Sequence, residues 1–196
     1  MSIPYLIGIA GSKGSGKDTM ADYLCDRYQY QKRAFADPIK DLCRSLFHLS
    51  MDQLTDPVMK ETVDPRWQKS PRQILQIVGT DLFRHHYHED FWLQHFEQWY
   101  LSLQHHPSRE DLGSPPQIRV VCSDIRFQNE LDLIHRLGGQ VVRIHRSSYV
   151  FPPDSHESER EVHCLQHVDM EMDNKGMHVE EFYQVIDRYM LSFFSS

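Results

Sequence analysis

The chain has 196 residues, enough for one globular domain and too few for the paired motor domains of a helicase. Hydrophobic residues make up 40% and charged residues 25%, too apolar for a disordered chain, and the formal net charge of -7 argues against a broad nucleic-acid surface while leaving room for a small basic pocket. Cys25, Cys43, Cys122 and Cys164 are scattered without a C-x-x-C pair and no apolar run approaches the roughly 20 residues of a membrane span, so a cytosolic protein is expected, with neither disulfide framework nor zinc ribbon.

Residues 3–10 (IPYLIGIA) form a nearly unbroken apolar run, as expected of a strand buried on both faces of a parallel sheet. Met20, Ala21 and Leu24 fall at helical spacing over 18–28, so the glycine-rich segment between must turn from strand to helix. Residues 30–36 (YQKRAFA) predict a second strand, and Asp37-Pro38 supplies an N-cap and a first-turn proline for a helix through about His48. Ser70-Pro71-Arg72-Gln73 reads as a capping box that opens a helix carrying Ile74, Ile77, Val78 and Leu82. Phe91, Phe96, Trp99, Tyr100 and Leu103 predict another amphipathic helix over 91–103, followed by a polar loop over 105–117.

Residues 118–123 (IRVVCS) are the third strand, 128–137 a helix closed by Gly138-Gly139, and 140–145 (QVVRIH) the fourth strand. A polar, proline-containing loop over 147–160 precedes a short last strand over 168–172 and a helix over 179–193. The alternation predicts an α/β protein in which a parallel five-stranded sheet is flanked by helices on both faces, with right-handed crossovers, as a single domain over 1–196.

Gly11-Ser12-Lys13-Gly14-Ser15-Gly16-Lys17 matches G-x-x-x-x-G-K between the first strand and the first helix. Such a loop needs glycines because its backbone must wrap close around phosphate oxygens, where a Cβ would obstruct the amides. Lys17 adds a point charge at the β- and γ-phosphates, and the helix contributes the positive end of its dipole. The plainer reading is a glycine-rich strand-to-helix turn. Asp18 stands where the usual motif has the Mg²⁺-binding Ser or Thr, with Thr19 next, so the metal is expected either through water at Asp18 or at the Thr19 hydroxyl. The thirteen histidines include His85-His86-x-His88 but no well-spaced ligand set, so no histidine metal site is expected.

The variant Gly16-Lys17-Asp18-Thr19 resembles the phosphate loop of the deoxynucleoside monophosphate kinases of tailed phages and large DNA viruses. Further blocks resemble that family in its order: Phe35-Ala36-Asp37-Pro38-Ile39-Lys40, Ser70 to Gln76, Gly79 to Arg84, Phe91-Trp92, Asp124 to Glu130, Ser155 to Glu159 and Asn174-Lys175-Gly176. The animal-type phosphomevalonate kinases share a related Gly-Lys-Asp loop and stand as the alternative. A nucleotide-binding switch without catalysis is a third reading.

The resemblance implies a P-loop NTPase three-layer sandwich of the nucleoside monophosphate kinase type, with ATP as co-substrate, Mg²⁺, and a deoxynucleoside monophosphate as acceptor. It implies an acceptor-binding helical region at about 38–104, a lid over 147–160, a (host) cytoplasmic setting, no nucleic-acid or membrane partner, and leaves a homodimer open. Transfer between two anionic phosphates needs positive groups around both, and guanidinium matches phosphate bidentately, which singles out Arg72, Arg84 and Arg126. Asp37, Lys40, Gln76 and Glu130 join them at the expected acceptor site. Asp124 follows a strand from which a carboxylate reaches Mg²⁺ or orients Arg126, the plainer reading being a helix cap. Arg146 lies at the root of the lid loop and suits a lid arginine better than Arg143. Trp67, Trp92 and Phe91 could stack on a base, although aromatic residues on helices are more often core.

Overall fold

A computed structural model of the protein describes residues 3–104, 118–146 and 157–194. The chain divides into two compact units, one of Met1–Ala34 with Trp99–Ser196 and one of Phe35–Gln98.

The first unit is built on five parallel strands in the order β2-β3-β1-β4-β5: β1 Leu6–Ala10, β2 Gln31–Arg33, β3 Val120–Ile125, β4 Gln140–His145 and β5 Met170–Asp173. All five residues of β1 are buried, because the strand alternates its side chains between two helical layers. Ile7 and Ile9 join Val121, Val142 and Ile144 in a core completed by Met20 and Leu24 of α1 (Lys17–Tyr28) and by Phe182 and Ile186 of α8 (Val179–Ser192). On the other face, Gly8 lies where a Cβ would come within 3.2 Å of Ile134 on α6 (Gln128–Arg136), so that helix packs close against the sheet. Burying these apolar layers contributes about 25 cal/mol per Å² removed from water and is the main force holding the sandwich.

The second unit is helical: α2 (Asp37–Phe47), α3 (Met51–Thr55), α4 (Pro71–Gln76), a π-helix (Ile77–Tyr87) and most of α5 (Phe91–Gln104). Cys43, Leu49, Leu54, Ile74 and Val78 form its core. The capping box before α4 forms as expected, with the Ser70 hydroxyl accepting from Gln73 N–H and the Gln73 side chain accepting from Ser70 N–H. Trp92 is buried and donates its indole N–H to the Gly79 carbonyl at 2.8 Å, which settles it as core.

Several expectations are corrected. The helix opened by Ser70 widens into π geometry from Ile77, with His88 N–H bonding the Phe83 carbonyl five residues back, and this turns Leu82 outward to 52% exposure. Gly79 packs close to α2 there, since a Cβ on it would lie 2.8 Å from Ile39 Cδ1. Asp37 is the first residue of α2 and not its cap residue; Ala36 holds the cap position, and Asp37 pairs with Lys40 at 3.0 Å. The third strand starts two residues later and runs two further than expected, so Asp124 lies inside β3. Of the expected lid, residues 147–156 lie outside the described residues, and 157–160 begin α7 (Glu157–Cys164).

Candidate active site

The loop from Gly11 to Gly16 joins β1 to α1. Gly14 (φ 78°) and Gly16 (φ 103°) hold backbone conformations that L side chains rarely adopt. Space imposes a second requirement: a Cβ on Gly11 would lie 2.7 Å from the Ile144 carbonyl, and one on Gly16 would lie 2.7 Å from Asn174 Nδ2. The loop tightens through a 3.2 Å bond from Ser15 N–H to the Ser12 carbonyl. Ser12 and Ser15 are buried beneath it while Lys13 and Gly14 are exposed. Left-handed glycines in such a turn bring successive N–H groups to one side, a cradle for anionic oxygens, and α1 adds its positive end.

Lys17 opens α1 with its side chain only 12% exposed, and its ammonium lies 3.6 Å from the Asp18 carboxylate. Asp18 is 65% exposed and faces a second cation, Lys32 of the edge strand β2, at 3.5 Å; Lys32 also pairs with Asp22 at 2.8 Å. Desolvation opposes the charge on Lys32, but the Asp22 hydrogen bond and the charge of Asp18 outweigh it, and its pKa stands above the ordinary lysine value. Thr19 is half-buried. Lys32 escaped the sequence reading because only the return of β2 beside α1 brings it there.

The end of β3 comes alongside the loop because Ala10 pairs with Ile125. Between Gly8, opposite Cys122, and that pair, β3 holds one more residue than β1, a bulge that re-aims Asp124 just before the strand ends. Asp124 is half-buried, and the Cys122 thiol lies 3.5 Å from its carboxylate. Burial first, then the charge of Asp124, pushes the Cys122 pKa well up, so Cys122 stays a thiol. Glu130 was expected at the acceptor. It is buried instead, and its carboxylate accepts the N–H groups of Arg126 at 2.8 Å and Phe127 at 3.1 Å, capping α6 and fixing the turn that carries Arg126.

Arg146 leaves β4 exposed, with Nη2 3.5 Å from where a Cβ of Gly176 would sit. Arg143 is committed elsewhere: it pairs with Glu171 and donates to the Leu165 carbonyl at 2.9 Å, and the hydrogen bond from Arg143 holds Glu171 below the usual carboxylate range. Asn174 follows β5 and donates its side-chain amide to the Ser15 carbonyl at 3.0 Å.

The second unit carries the other expected acceptor residues. Arg72 pairs with Glu61 at the start of α4, Gln76 ends that helix, and Arg84 is buried on the π-helix at 7% exposure. Trp67 donates its indole N–H to the Phe47 carbonyl at 2.9 Å and meets the Phe47 ring edge-on at 5.2 Å, so its ring is held by a helix of its own unit.

A five-stranded parallel sheet in this order, with a glycine-rich loop between β1 and α1 and a lysine opening that helix, defines a P-loop nucleotide-binding protein of the α/β class. Residues 5–64 and 48–186 match the deoxynucleotide monophosphate kinase family, and this chain belongs to that family. A protein of Acanthamoeba polyphaga mimivirus that carries the provisional name deoxynucleotide monophosphate kinase is 40% identical over 190 residues, covering 92% of this chain and 93% of that one. Among solved structures, the dephospho-CoA kinase of Campylobacter jejuni aligns with a TM-score of 0.46 at 14% identity, covering 96% of both chains. The shikimate kinase of Aquifex aeolicus aligns with a TM-score of 0.43 at 14% identity, covering 97% of this chain and 96% of that one. Likeness of that degree carries no weight beside the family match. The chain is thus a nucleotide kinase that phosphorylates deoxynucleoside monophosphates, with ATP as the phosphate donor.

Proposed function

We propose that the cradle of Gly11, Ser12, Lys13, Gly14, Ser15 and Gly16 holds the β- and γ-phosphates of ATP, with Lys17 and the N-terminus of α1 balancing their charge. The observation that carries this reading is the loop's conformation: Gly14 and Gly16 hold left-handed backbone angles directly before the N-terminus of α1, with Lys17 opening that helix.

In the reaction, an oxygen of the acceptor's 5'-phosphate attacks the γ-phosphorus in line. A new P–O bond forms, the bond to the β-phosphate oxygen breaks, and ADP leaves. The protein supplies position and charge, because two anionic groups must be brought together and negative charge moves onto the leaving oxygen. The oxygen donors Asp18, Thr19 and Asp124 fit Mg²⁺, which prefers one or two carboxylates and otherwise water and phosphate oxygens. The ion, when bound, neutralises charge on the transferring group. Asp18 serves it through water, since its carboxylate is exposed and already flanked by Lys17 and Lys32.

Arg72, Arg84 and Arg126 recognise the acceptor phosphate, aided by Asp37, Lys40, Gln76 and Trp67, while Glu130 acts through the Arg126 backbone. Arg146, beside the expected lid, contacts the transferring phosphoryl group. The whole chain works as one kinase domain in the cytoplasm, with Mg²⁺ as cofactor, no nucleic-acid partner, and deoxynucleoside monophosphates preferred over phosphomevalonate. No helix among the described residues is long and apolar enough to cross a membrane. Thermal shift tests the acceptor assignment without turnover: a deoxynucleoside monophosphate raises the melting temperature at concentrations where phosphomevalonate does not, and the reverse result would replace the substrate.

A further inference from the structure

The side chain of Asn174 reaches across 159 residues of sequence to donate Nδ2–H to the carbonyl of Ser15, 3.0 Å away. A carbonyl only accepts, so this contact fixes which end of the amide faces the loop. Asn174 Oδ1 is buried with no partner among the described residues, so the donor end is the one in use. The post is firm, because Asn174 N–H extends the β4–β5 pairing by bonding the His145 carbonyl at 2.8 Å. Gly16 leaves space for it, since a Cβ there would lie 2.7 Å from Nδ2.

A trans peptide directs its C=O and N–H to opposite sides. The bond that draws the Ser15 carbonyl toward Asn174 therefore turns the Gly16 N–H the other way. We propose that Asn174 is a positioning residue of the phosphate loop, holding the Ser15–Gly16 peptide so that the Gly16 N–H faces the donor's phosphate oxygens. The inference rests on the reading of this loop as the donor site. It differs from a role in recognising the donor's base, because its whole effect passes through phosphate.

The test is calorimetric titration of wild type, Asn174→Ala and Asn174→Asp with Mg-ATP and, separately, with inorganic tripolyphosphate, which has no base or sugar. Both ligands should weaken by the same factor, about tenfold for Asn174→Ala, the equivalent of one hydrogen bond lost from a preorganised site. Asn174→Asp should be at least as weak, since a carboxylate cannot donate to a carbonyl; its near-identical shape also keeps the test available if Asn174→Ala folds poorly. Deoxynucleoside monophosphate affinity should not move, and the ligand-free melting temperature shows that each variant is folded where it is titrated. Loss of ATP affinity with tripolyphosphate affinity kept within about twofold would overturn the proposal and assign Asn174 to the nucleoside. A lowered melting temperature with unchanged affinity for both ligands would overturn it in favour of a purely structural contact. Failure of the wild type itself to bind tripolyphosphate more tightly than Lys17→Ala would instead remove the phosphate-loop reading.

Discussion

The ammonium of Lys32 stands 3.5 Å from the carboxylate of Asp18, so the acidic residue that replaces the usual Ser or Thr of the phosphate loop arrives with its charge partly balanced. An Asp18 that serves Mg²⁺ must share its charge with this lysine. Asp18→Ala should raise the Mg²⁺ concentration needed for half-maximal rate and leave the acceptor KM nearly unchanged. Lys32→Met should shift the Mg²⁺ requirement the other way, by up to about fivefold, because an exposed ion pair is worth at most about 1 kcal/mol. Superimposable Mg²⁺ titrations of all three proteins would confine the pair to a structural role.

The proposed acceptor role is tested at Arg72 and Arg126. Arg72→Ala and Arg126→Ala should each raise the acceptor KM roughly ten- to hundredfold, the loss of one charge-assisted contact of about 1.5 to 3 kcal/mol, with donor affinity little changed. Removing Arg72 also breaks its ion pair with Glu61, so an Arg72, Glu61 double substitution is the needed control. An acceptor KM at the wild-type value in both single variants would mean that other residues hold the phosphate.

Arg146 should count chiefly as charge develops on the transferring group. Arg146→Ala should then lower kcat and kcat/KM by similar factors with little change in KM, and lysine should rescue only in part because it lacks the bidentate fork. Steady-state kinetics decide it: a kcat within about twofold of wild type, under about 0.5 kcal/mol of barrier, would contradict the role.

Asp64 gives the second unit a pH-dependent brace. Arg66 donates to its carboxylate through Nε at 3.0 Å, Nη2 at 2.6 Å and its backbone N–H at 2.9 Å, and Gln53 adds a bond at 3.1 Å. The Arg66 side-chain hydrogen bonds foremost, against some desolvation, hold the Asp64 pKa well below the usual carboxylate range. A depressed folded-state pKa stabilises the fold above the unfolded value of about 4 and loses that contribution as pH falls below it. Melting curves of wild type and Asp64→Asn should therefore differ by a constant amount from pH 7 down to about pH 5 and converge below about pH 4. An undiminished gap at about pH 3 would show that shape, and not charge, makes Asp64 matter.

The sandwich could be read from the chain because strands buried on two faces are written as apolar runs, IPYLIGIA above all, with glycines marking where the backbone must turn. The phosphate loop was legible for the same reason: its chemistry is local. What escaped was either a change of helical period or a contact made only by the finished fold. Ile74, Val78 and Leu82 keep α-helical spacing on paper, yet the π register carries Leu82 to the surface. The β3 bulge at Asp124, the Lys32 neighbour of Asp18 and the Asn174 bond to Ser15 are tertiary facts with no sequence period behind them. Glu130 shows a role the residue reading left out, since an acidic residue three places into a helix also caps it.

The central claim is tested most directly by following ADP release from Mg-ATP in the presence of individual deoxynucleoside monophosphates, ribonucleoside monophosphates and phosphomevalonate, with product identified by mass. The account predicts stoichiometric formation of at least one deoxynucleoside diphosphate with ADP, and its abolition in folded Lys17→Ala protein. ADP release without a phosphorylated deoxynucleotide, or near-normal turnover by Lys17→Ala, would contradict it.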